Sequence, residues 1–304
     1  MYNSNICDVH VNKVILRMKN EESLVSVYIC TYNRSHLLKR AIYSVLSQNY
    51  ENIQIVVCSD NSTDDTDAVM EEFLQKYSNI IYLKMPVNSG ACAARNKAIK
   101  HCSGKFITGL DDDDYFEANR IETFIQNKEL LKKYSFLSSS YKYKTKNNLR
   151  TILMEDRSFS INDIVMENKV GNQVFTLKSN LMAIGSFDID LPAWQDHDVW
   201  IRLISEFGPG KRIPVATYVI DVSHEHERVS KSDKKIRLAL ELILKKSTDQ
   251  YFFNIMSENM PLNFYSYPQA KFNTTLAYKY LMKRGIRNTM SVHIKKLLRV
   301  FAHD

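Results

Sequence analysis

The chain has 304 residues, of which 44% are hydrophobic and 25% are charged, a composition typical of globular proteins. No apolar run approaches the ~18 residues of a membrane-spanning helix, and the first residues lack the basic and apolar stretches of a secretory signal. Five cysteines without a CxxC pair favour free thiols in a reducing compartment. The sequence therefore predicts a soluble cytoplasmic protein and argues against membrane-spanning and disulfide-stapled classes.

Charge is distributed unevenly along the chain. The net charge is +7, yet residues 231–304 carry 14 lysines and arginines against five acidic residues, which leaves residues 1–230 slightly acidic. A basic tail on a near-neutral body predicts a catalytic unit with a segment that meets an anionic partner. Charge alone does not choose between nucleic acid and an anionic membrane.

Strand and helix signals alternate in the first half of the chain. Four short apolar runs predict buried strands, at 24–30, Ile53–Cys58, Ile80–Leu83 and Lys105–Leu110. Helices are predicted after Ser35, which we expect to act as a cap, and at Thr66–Tyr77, Ala91–His101 and Ala118–Tyr134. This alternation predicts a mainly parallel sheet with helices on both faces and a ligand site beyond the carboxyl ends of the strands.

The second half of the chain is less regular. We expect three further strands, at Phe136–Tyr143, Val174–Leu177 and Ile213–Val222. An amphipathic helix is predicted at Val199–Phe207. From Asp233 the pattern predicts helices to the end, divided by Pro261 and Pro268 and broken at Gly285.

Four consecutive aspartates, Asp111 to Asp114, follow the fourth predicted strand. Aspartate is common in turns, so an exposed, solvated turn is one interpretation. Four like charges at a strand end repel one another unless a cation neutralises them, and oxygen ligands favour Mg²⁺ or Mn²⁺. The run therefore predicts a metal–diphosphate site, a kind of site that nucleotidyltransferases and phosphatases also use.

Five segments together resemble glycosyltransferase family 2. They are VSVYICTYNR at 25–34, VVCSDNSTDDT at 56–66, NSGACAARNKAI at 88–99, GKFITGLDDDDYFEANRI at 104–121 and GSFDIDLPAWQDHDVWIRL at 185–203. The segments follow the family's order and roughly its spacing, over about residues 24–230. The resemblance implies an α/β GT-A fold, with a Rossmann-like, mainly parallel sheet flanked by helices and here a helical C-terminal extension. The expected divisions are a lead-in (1–23), a nucleotide-sugar-binding half (24–115), an acceptor-binding half (116–230) and a basic helical region (231–304).

The resemblance also implies roles for residues on the donor side. Thr31 and Asp60 match positions that contact the uracil base of a UDP-sugar. Tyr32 and Asn33 shape the same turn, and Arg95 lies in the donor-side segment. We therefore expect these five residues to surround the nucleotide.

The metal site implied by the resemblance lies in the aspartate run. Asp111 and Asp112 match positions around the ribose and the metal, and Asp113 matches the last aspartate of the DxD motif, which ligates the metal in relatives. Two histidines follow the last predicted strand, and alternation along a strand lets at most one of them reach the site. We favour His226 over His224 as a metal ligand, with an exposed polar pair as the alternative. The expected cofactor is Mn²⁺ or Mg²⁺.

Asp196 matches the catalytic base of an inverting transferase, which removes the proton of the acceptor hydroxyl. A helix cap is the structural alternative for Asp196, and Asp198 is expected to stabilise the start of the helix. Trp194 is expected either to stack on the acceptor sugar or to pack in the core. The family's usual acids are replaced by Ser59 in the second-strand pair and by Gln195 before the base.

These observations predict an inverting, metal-dependent hexosyltransferase. The expected donor is UDP-glucose or UDP-galactose, and the expected acceptor is a saccharide, such as a lipid-diphosphate-linked sugar in O-antigen or capsule synthesis. A nucleotidyltransferase of related fold and a non-catalytic sugar-binding protein are alternatives. The first is disfavoured because no glycine-rich loop follows the first strand, and the second because both the DxD segment and the base are present.

The end of the basic region predicts contact with a membrane surface. Apolar Ile294, Leu297, Leu298 and Phe301 fall close to one helical face beside lysines and an arginine. We expect no nucleic-acid partner and peripheral contact with the inner face of an anionic cell membrane. An ordinary docking helix is the alternative.

Overall fold

The structure is a computed structural model that describes residues 23–166, 168–170, 173–224, 233–246, 250–265 and 273–301. Among these residues, no helix combines the length and the apolar composition needed to cross a bilayer. The predicted lead-in as far as Glu22 lies outside the described residues, as do His226 and Pro268. The cysteines in the described ranges are free thiols.

Four parallel strands form the first half of the sheet. They are β1 (Val25–Thr31), β2 (Ile53–Ser59), β3 (Ile80–Lys84) and β4 (Phe106–Asp111), in the spatial order β3-β2-β1-β4. The connecting helices are α1 (Ser35–Leu46), α2 (Thr66–Lys76) and α3 (Ala91–His101). The mainly parallel sheet predicted from the sequence is confirmed.

Side chains of β1 alternate between the two faces of the sheet. Val25, Val27 and Ile29 pack with α1 and α2 on one face, while Tyr28 packs with α3 on the other. Because helices cover both faces, the open part of this half is the edge where the strands end.

The rest of the sheet is mixed. Its strands are β5 (Tyr115–Phe116), β6 (Leu137–Lys144), β7 (Leu149–Ile152), β8 (Arg157–Phe159), β9 (Phe175–Leu177) and β10 (Gly210–Asp221). Its helices are α4 (Arg120–Gln126), α5 (Ile161–Met166), α6 (Lys178–Ala183) and α7 (Gln195–Phe207), with a 3₁₀ turn at Lys128–Lys132. The sheet continues from β4 in the order β9-β6-β10-β5, with β7 beside β6 and β8 beside β10. In this part of the sheet, β6 and β10 are parallel to each other and the other pairings are antiparallel.

Two predicted helix starts are wrong. Ser35 is the first residue of α1 rather than its cap, and its N–H donates to the carboxylate of Asp64 at 3.0 Å. The helix predicted at Val199–Phe207 begins instead at Gln195, directly after a residue with left-handed backbone geometry. Asp196 therefore lies in the first turn of α7 and is not its cap.

The helix predicted at Ala118–Tyr134 is interrupted. The α4 helix ends at Gln126, and the N–H of Asn127 bonds back to the carbonyl of Phe124 at 3.1 Å. This tighter hydrogen bond leads into the 3₁₀ turn, which is a common way for an α-helix to end. The sequence pattern alone does not distinguish the two helical forms.

Three helices form the C-terminal region. They are α8 (Asp233–Lys246), α9 (Gln250–Tyr265) and α10 (Thr274–Phe301). Pro261 lies inside α9 and does not divide the helices, so that prediction is wrong. Burial of Met260 and Leu262 on either side offsets the backbone hydrogen bond that the proline removes. Gly285 breaks α10 as predicted, with φ of 79°.

The C-terminal helices share a hydrophobic core with the sheet. Ile236 and Ala239 of α8 and Met256 of α9 are fully buried in the cluster that contains Trp200 of α7. The α10 helix packs on α9 through a smaller cluster that includes Tyr280. The basic region is therefore part of the packed body as far as the described residues show.

A buried arginine connects the strands of the mixed half. The guanidinium of Arg120 lies 4.6–5.0 Å from the centres of three aromatic rings. It donates to the hydroxyls of Ser139 (2.9 Å) and Thr217 (3.1 Å) and to the carbonyl of Gln173 (2.7 Å). Burial lowers the pKa of Arg120 to about 9, so the side chain stays charged at neutral pH.

Candidate active site

The turn after β1 forms one edge of a cleft. Thr31 is buried at the end of the strand, whereas Tyr32 is 46% exposed, and both line the cleft. Asn33, with φ of 52°, accepts a hydrogen bond from the N–H of Thr63 (2.8 Å) and donates its own N–H to Ser62 (3.0 Å). Asn33 therefore ties this turn to the one after β2 and is not part of the cleft lining.

Asp60 follows β2 and holds the loop that leads into α3. Its Oδ1 accepts the N–H of Ser89 and its Oδ2 accepts that of Gly90, each at 2.8 Å. Gly90 has φ of 89°, a left-handed conformation that favours glycine. Because an ionised carboxylate has about four acceptor positions, the two loop hydrogen bonds leave Asp60 able to accept more. Asp60 also lines the cleft.

The aspartates after β4 are held by cationic partners. Asp111 Oδ1 accepts a hydrogen bond from Arg95 at 2.8 Å, and Asp112 Oδ1 accepts one from Arg34 at 2.9 Å. Asp112 is only 5% exposed, as is Asp114. An exposed, solvated turn is therefore excluded.

Asp112 has a perturbed pKa. Burial is the largest cause and raises the pKa of Asp112 to about 6. The charge of Asp113 adds to this rise, whereas Arg34 and Thr31 oppose it. Additional positive charge at this position would favour the ionised carboxylate.

Asp113 lies between a cation and a histidine. Its Oδ2 is 3.3 Å from the guanidinium of Arg34 and 3.5 Å from Nε2 of His224. His224 is therefore the histidine that the structure places beside the aspartate run. The favoured His226 lies outside the described residues, so its role stays a prediction.

Asp221 ends β10 and fixes this corner of the site. Its N–H donates to Asp114 Oδ1 (2.9 Å), and its carboxylate accepts from Arg40 (2.5 Å) and from the N–H of Ser223 (2.8 Å). Lys144 lies 3.2 Å from the same carboxylate. Burial raises the pKa of Asp221, but the Ser223 and Lys144 hydrogen bonds and the Arg40 charge prevail and lower it to about 2. The end of β10 is thus fixed by a permanently ionised group.

The side chains beside Asp113 fit a divalent cation that a diphosphate completes. Within the described ranges, no group of three or more His, Cys, Asp or Glu side chains is arranged to hold a metal. Mg²⁺ commonly takes one or two protein carboxylates and fills its shell with water and phosphate oxygens. Asp113 and His224 supply a carboxylate oxygen and an imidazole nitrogen, and an imidazole ligand suits a transition metal such as Mn²⁺ better than Mg²⁺.

The start of α7 forms the other side of the cleft. Trp194, directly before the helix, has φ of 60° and ψ of 22°, a left-handed conformation that costs roughly 1–2 kcal/mol for a residue with a side chain. Asp196 follows in the first turn and lines the cleft, with 36% of its side chain exposed. Asp198 instead pairs with Arg202 at 2.5 Å. Of the two acids, Asp196 is therefore the one that reaches the cleft.

Arg95 and Gln173 connect the two sides. Arg95 donates to Asp111 at 2.8 Å, and its other terminal nitrogen lies 3.9 Å from Asp196 Oδ1. The buried amide of Gln173 donates to Asp111 Oδ1 at 3.3 Å, while its oxygen accepts from the hydroxyl of Tyr28 at 3.2 Å. The tyrosine hydroxyl therefore favours an amide orientation with the NH₂ group toward the carboxylates.

The carboxyl of Asp196 has a raised pKa. Although 36% of the side chain is exposed, its Oδ1 is inaccessible to solvent, and this burial is the largest cause of the rise. The charge of Asp111 acts in the same direction. The charge of Arg95 and a polar interaction with Gln173 lower it without cancelling the rise. Asp196 is therefore a stronger proton acceptor than an ordinary aspartate, which is the property that a general base needs.

The side chains at the strand ends and those at the start of α7 line one cleft. Its volume of about 450 Å³ is within the usual size range of ligand pockets. The aspartate wall, at the carboxyl ends of β1, β2 and β4, comprises Thr31, Tyr32, Asp60 and Asp111–Asp114. The helix wall, at the start of α7, comprises Ala193–His197. Arg95, which lines the cleft, contacts acids of both walls.

Sequence reasoning gave no role to several residues of this site, among them Arg34 and Gln173. Arg34, which pairs with Asp112 and Asp113, is the last residue of the first-strand segment, and its charge beside that turn was an available signal. Gln173 gave no signal, because it lies in a weakly patterned stretch far along the chain from its partners.

The comparison with protein families decides the classification. The model described as Glycosyl transferase family 2 matches residues 26–190, more than half of the chain. The chain belongs to glycosyl transferase family 2. The family implied by the five sequence segments is thus confirmed.

Similar proteins come from bacterial polysaccharide synthesis. A protein of Escherichia coli (strain K12) assigned to colanic acid biosynthesis as the glycosyl transferase WcaA is 34% identical over 229 residues, covering 72% of this chain and 79% of that protein. The UDP-Glc:alpha-D-GlcNAc-diphosphoundecaprenol beta-1,3-glucosyltransferase WfgD of Escherichia coli is 30% identical over 186 residues, covering 61% of this chain and 72% of WfgD.

The fold is also similar to that of a solved structure. The crystal structure of S. aureus TarS 1-349 in complex with UDP-GlcNAc matches with a TM-score of 0.64 and 16% sequence identity, covering 88% of this chain and 81% of that one. The GT-A fold implied by the resemblance is confirmed. At this level of identity the likeness concerns the fold alone.

Proposed function

We propose that this family 2 member is an inverting hexosyltransferase that uses a UDP-sugar donor, UDP-glucose or UDP-galactose, and a saccharide acceptor carried on a lipid diphosphate. The observation that carries the proposal is the cleft that combines the aspartate run with Asp196. Inversion requires the acceptor hydroxyl to attack opposite the departing diphosphate in one step, so it needs a cation site and one base. The two walls supply these groups from different parts of the chain.

The aspartate wall is the proposed donor site. Asp60 retains acceptor positions for the N–H of a uracil base after it binds its own loop. Thr31 and Tyr32 border the same part of the cleft. Asp111 and Asp112 line the same cleft and are the proposed contacts of the ribose.

Asp113 and His224 would hold the Mn²⁺ or Mg²⁺ ion. When bound, the cation neutralises the negative charge that UDP gains on leaving. Arg34 carries a permanent charge beside Asp112 and Asp113, so it adds to the positive potential where the phosphates would lie. Asp221 fixes the end of β10 and with it the approach of the histidine.

Asp196 is the proposed base. It removes the proton of the acceptor hydroxyl and holds that proton when the sugar has transferred. Its raised pKa makes it a better proton acceptor, and the positive charge of Arg95 opposes the rise by favouring the ionised carboxylate. Gln173 is a positioning residue, since it acts on the carboxylates of Asp111 and Asp196 and does not itself line the cleft.

The acceptor class is supported by a relative. WfgD, which is 30% identical to this chain, is by its name a glucosyltransferase that takes UDP-Glc and acts on GlcNAc-diphosphoundecaprenol. Its aligned region spans 72% of its length, so similar substrates are a reasonable first choice for this chain.

The proposal is tested by a transfer assay on the full chain. UDP-glucose and UDP-galactose are each incubated with Mn²⁺ and a GlcNAc-diphosphate-lipid, and product is detected by mass spectrometry, with GDP-mannose as a control donor. We expect product from one UDP-sugar and none from the control. Asp113→Asn should lower the rate ~10²–10³-fold, the usual cost of lost electrostatic stabilisation, and weaken Mn²⁺-dependent UDP binding in calorimetry.

Asp156→Asn is the matched control, because Asp156 is an exposed aspartate that pairs only with Lys211 among the described contacts. It should leave both the rate and UDP binding unchanged. Tight UDP binding without transfer to any acceptor would favour a non-catalytic binding protein. Release of pyrophosphate from a nucleoside triphosphate would favour a nucleotidyltransferase.

A further inference from the structure

The α10 helix is broken at Gly285, and exposed apolar side chains lie along both of its segments. They recur every four residues and are each 51–70% exposed, and we call them the apolar stripe: Tyr278, Met282, Ile286, Met290 and Ile294. Residues four apart lie on the same face of a helix, so the members on each side of the break at Gly285 form a row. This stripe is distinct from the face that packs on α9.

The opposite face of α10 is docked on the body. Tyr280 and Val292 are buried against α9. Lys283 lies 3.2 Å from Glu258, and Lys296 lies 4.5 Å from the centre of the Tyr265 ring. The helix is therefore held on the body by the face opposite the apolar stripe. The stripe itself takes no part in these contacts with α9.

The charge of α10 has one sign. Residues 274–301 contain seven lysines and arginines and no aspartate or glutamate. Lys279 and Arg287 are exposed and follow directly on stripe members Tyr278 and Ile286. A helix with an apolar row beside cations has the composition of helices that lie in the interface of an anionic bilayer.

We propose that α10 docks the protein on an anionic lipid surface, with the apolar stripe inserted among the lipids and the neighbouring cations at the head groups. A second copy of the chain is disfavoured as the occupant, because it would bring two all-cationic helices together. Nucleic acid is disfavoured because it would use the cations but leave the stripe in water. The proposal does not depend on sugar transfer.

This surface overlaps the one that the sequence predicts at Ile294, which is exposed. The side chains of Leu297, Leu298 and Phe301, the other members of the predicted face, lie outside the described ones, so their part in it stays a prediction. The described exposed side chains add positions toward the start of α10, as far as Tyr278.

Vesicle flotation with the full chain tests the proposal. The vesicles are phosphatidylcholine alone, or two parts phosphatidylcholine to one part phosphatidylglycerol. We expect binding to the anionic vesicles, little binding to phosphatidylcholine, and loss of binding as salt is raised, because screening weakens the attraction. Equal binding to both vesicle types, or none to the anionic ones, would overturn the proposal.

Two double variants identify the surface. Ile286→Ser with Met290→Ser should reduce binding to anionic vesicles at least about tenfold, because two inserted side chains lose their apolar burial. The matched control is Leu153→Ser with Ile189→Ser, which removes as many exposed apolar side chains elsewhere and should leave binding unchanged. Equal effects of the two double variants would contradict the role of α10.

Charge reversal provides a second, independent comparison. Lys279→Glu with Arg287→Glu should weaken binding about fivefold or more for each position. Lys100→Glu with Arg150→Glu makes the same change of charge at exposed positions away from α10 and should have a smaller effect. Circular dichroism melting checks that all variants fold. If the stripe variant instead dissociates a dimer in light scattering, the occupant is a second copy and the lipid proposal is wrong.

Discussion

The two walls of the cleft hold their carboxylates in different ways. In the aspartate wall, Asp60 and Asp112 each accept defined hydrogen bonds, from loop amides and from Arg34. In the helix wall, Asp196 Oδ1 accepts no hydrogen bond from the described residues, and its nearest cation is 3.9 Å away. The aspartate wall is thus fixed by direct hydrogen bonds, whereas Asp196 is held by the charge of Arg95 and a polar interaction with Gln173.

This difference matches the two tasks that we propose for the walls. A donor site has to present fixed ligands to a nucleotide and a cation, so its side chains benefit from rigid partners. A base has to accept a proton, so a carboxylate held by strong hydrogen bonds would be too weakly basic. The carboxylate with fewer hydrogen bonds, Asp196, is therefore the one proposed to accept the proton.

Removing the proposed base is the strongest test of the difference between the two walls. Asp196→Asn should lower kcat ~10²–10⁴-fold, the usual contribution of a general base, and should leave UDP affinity unchanged because the donor wall is intact. Asp198→Asn is the matched control, since Asp198 pairs with Arg202 and not with the cleft. A near-normal rate for Asp196→Asn would show that the base lies elsewhere.

The raised pKa of Asp196 also predicts how the stability of the Asp196→Asn variant depends on pH. The pKa of Asp196 is raised in the folded chain, so between the unfolded and the folded pKa the native state binds more protons than the unfolded state. Stability from this group therefore falls as pH rises through that window. Asp196→Asn should be more stable than the parent to urea at neutral pH, and this advantage should shrink once the pH is below both pKa values. A variant that is less stable at neutral pH would contradict the assigned shift.

Removing the positioning amide tests the link between the walls. Gln173→Leu keeps the shape but loses the donors to charged groups, so kcat should fall roughly 10- to 100-fold. Because the interaction with Gln173 lowers the pKa of Asp196, the acid limb of the pH–rate profile should also move to higher pH. A purely structural role would lower activity at every pH without moving the limb. Tyr28→Phe, which loses only the orienting hydroxyl, should give a smaller change in the same direction.

Two aromatic variants test whether donor and acceptor bind at different walls. Trp194→Ala should raise the KM of the acceptor about fivefold, the scale of one lost stacking contact, with little change for the donor. Tyr32→Ala, on the aspartate wall, should do the reverse. Steady-state kinetics with each substrate varied in turn measures the two KM values. The same KM shifts in both variants would show that donor and acceptor are not bound by separate walls.

The smallest expected effect is a shift of the acid limb when a charge is removed. Arg95 lowers the pKa of Asp196, so Arg95→Gln should move the acid limb of kcat/KM to higher pH. Arg202→Gln removes the same charge from a neighbour of Asp198 and should leave the limb in place. An unmoved limb in Arg95→Gln would mean that charge does not hold the base in its ionised form.

Much of the fold followed from local pattern. The strands of the parallel half are continuous apolar runs between helices with apolar faces, so β1 to β4 were found within a residue or so of their ends. The two-residue β5 was missed because so short a strand carries no period. The three-residue β8 was missed because only Phe159 in it is apolar, unlike β9, which lies in an apolar run. Pro261 was wrongly predicted to end a helix, because the packing of its buried neighbours outweighs the preference of proline against helix interiors.

The site was predictable where chemistry is concentrated in sequence. The aspartate run and the segment around Asp196 were found because several polar groups stand together at an element end. Gln173 was not, because its role depends on a buried contact with Asp111 from 62 positions away in the chain. The position of His224 beside Asp113 depends on the end of β10, which Asp221 fixes through partners that no local pattern shows.

The buried guanidinium of Arg120 has a consequence for redesign of this enzyme. Its forked donors join β6, β10 and the segment before β9, three stretches of the half of the chain that we expect to bind the acceptor. A lysine would supply the charge but not the planar fork, and an apolar residue would leave polar groups without partners. Libraries aimed at new acceptors should therefore keep position 120 constant and place their diversity on the exposed loops.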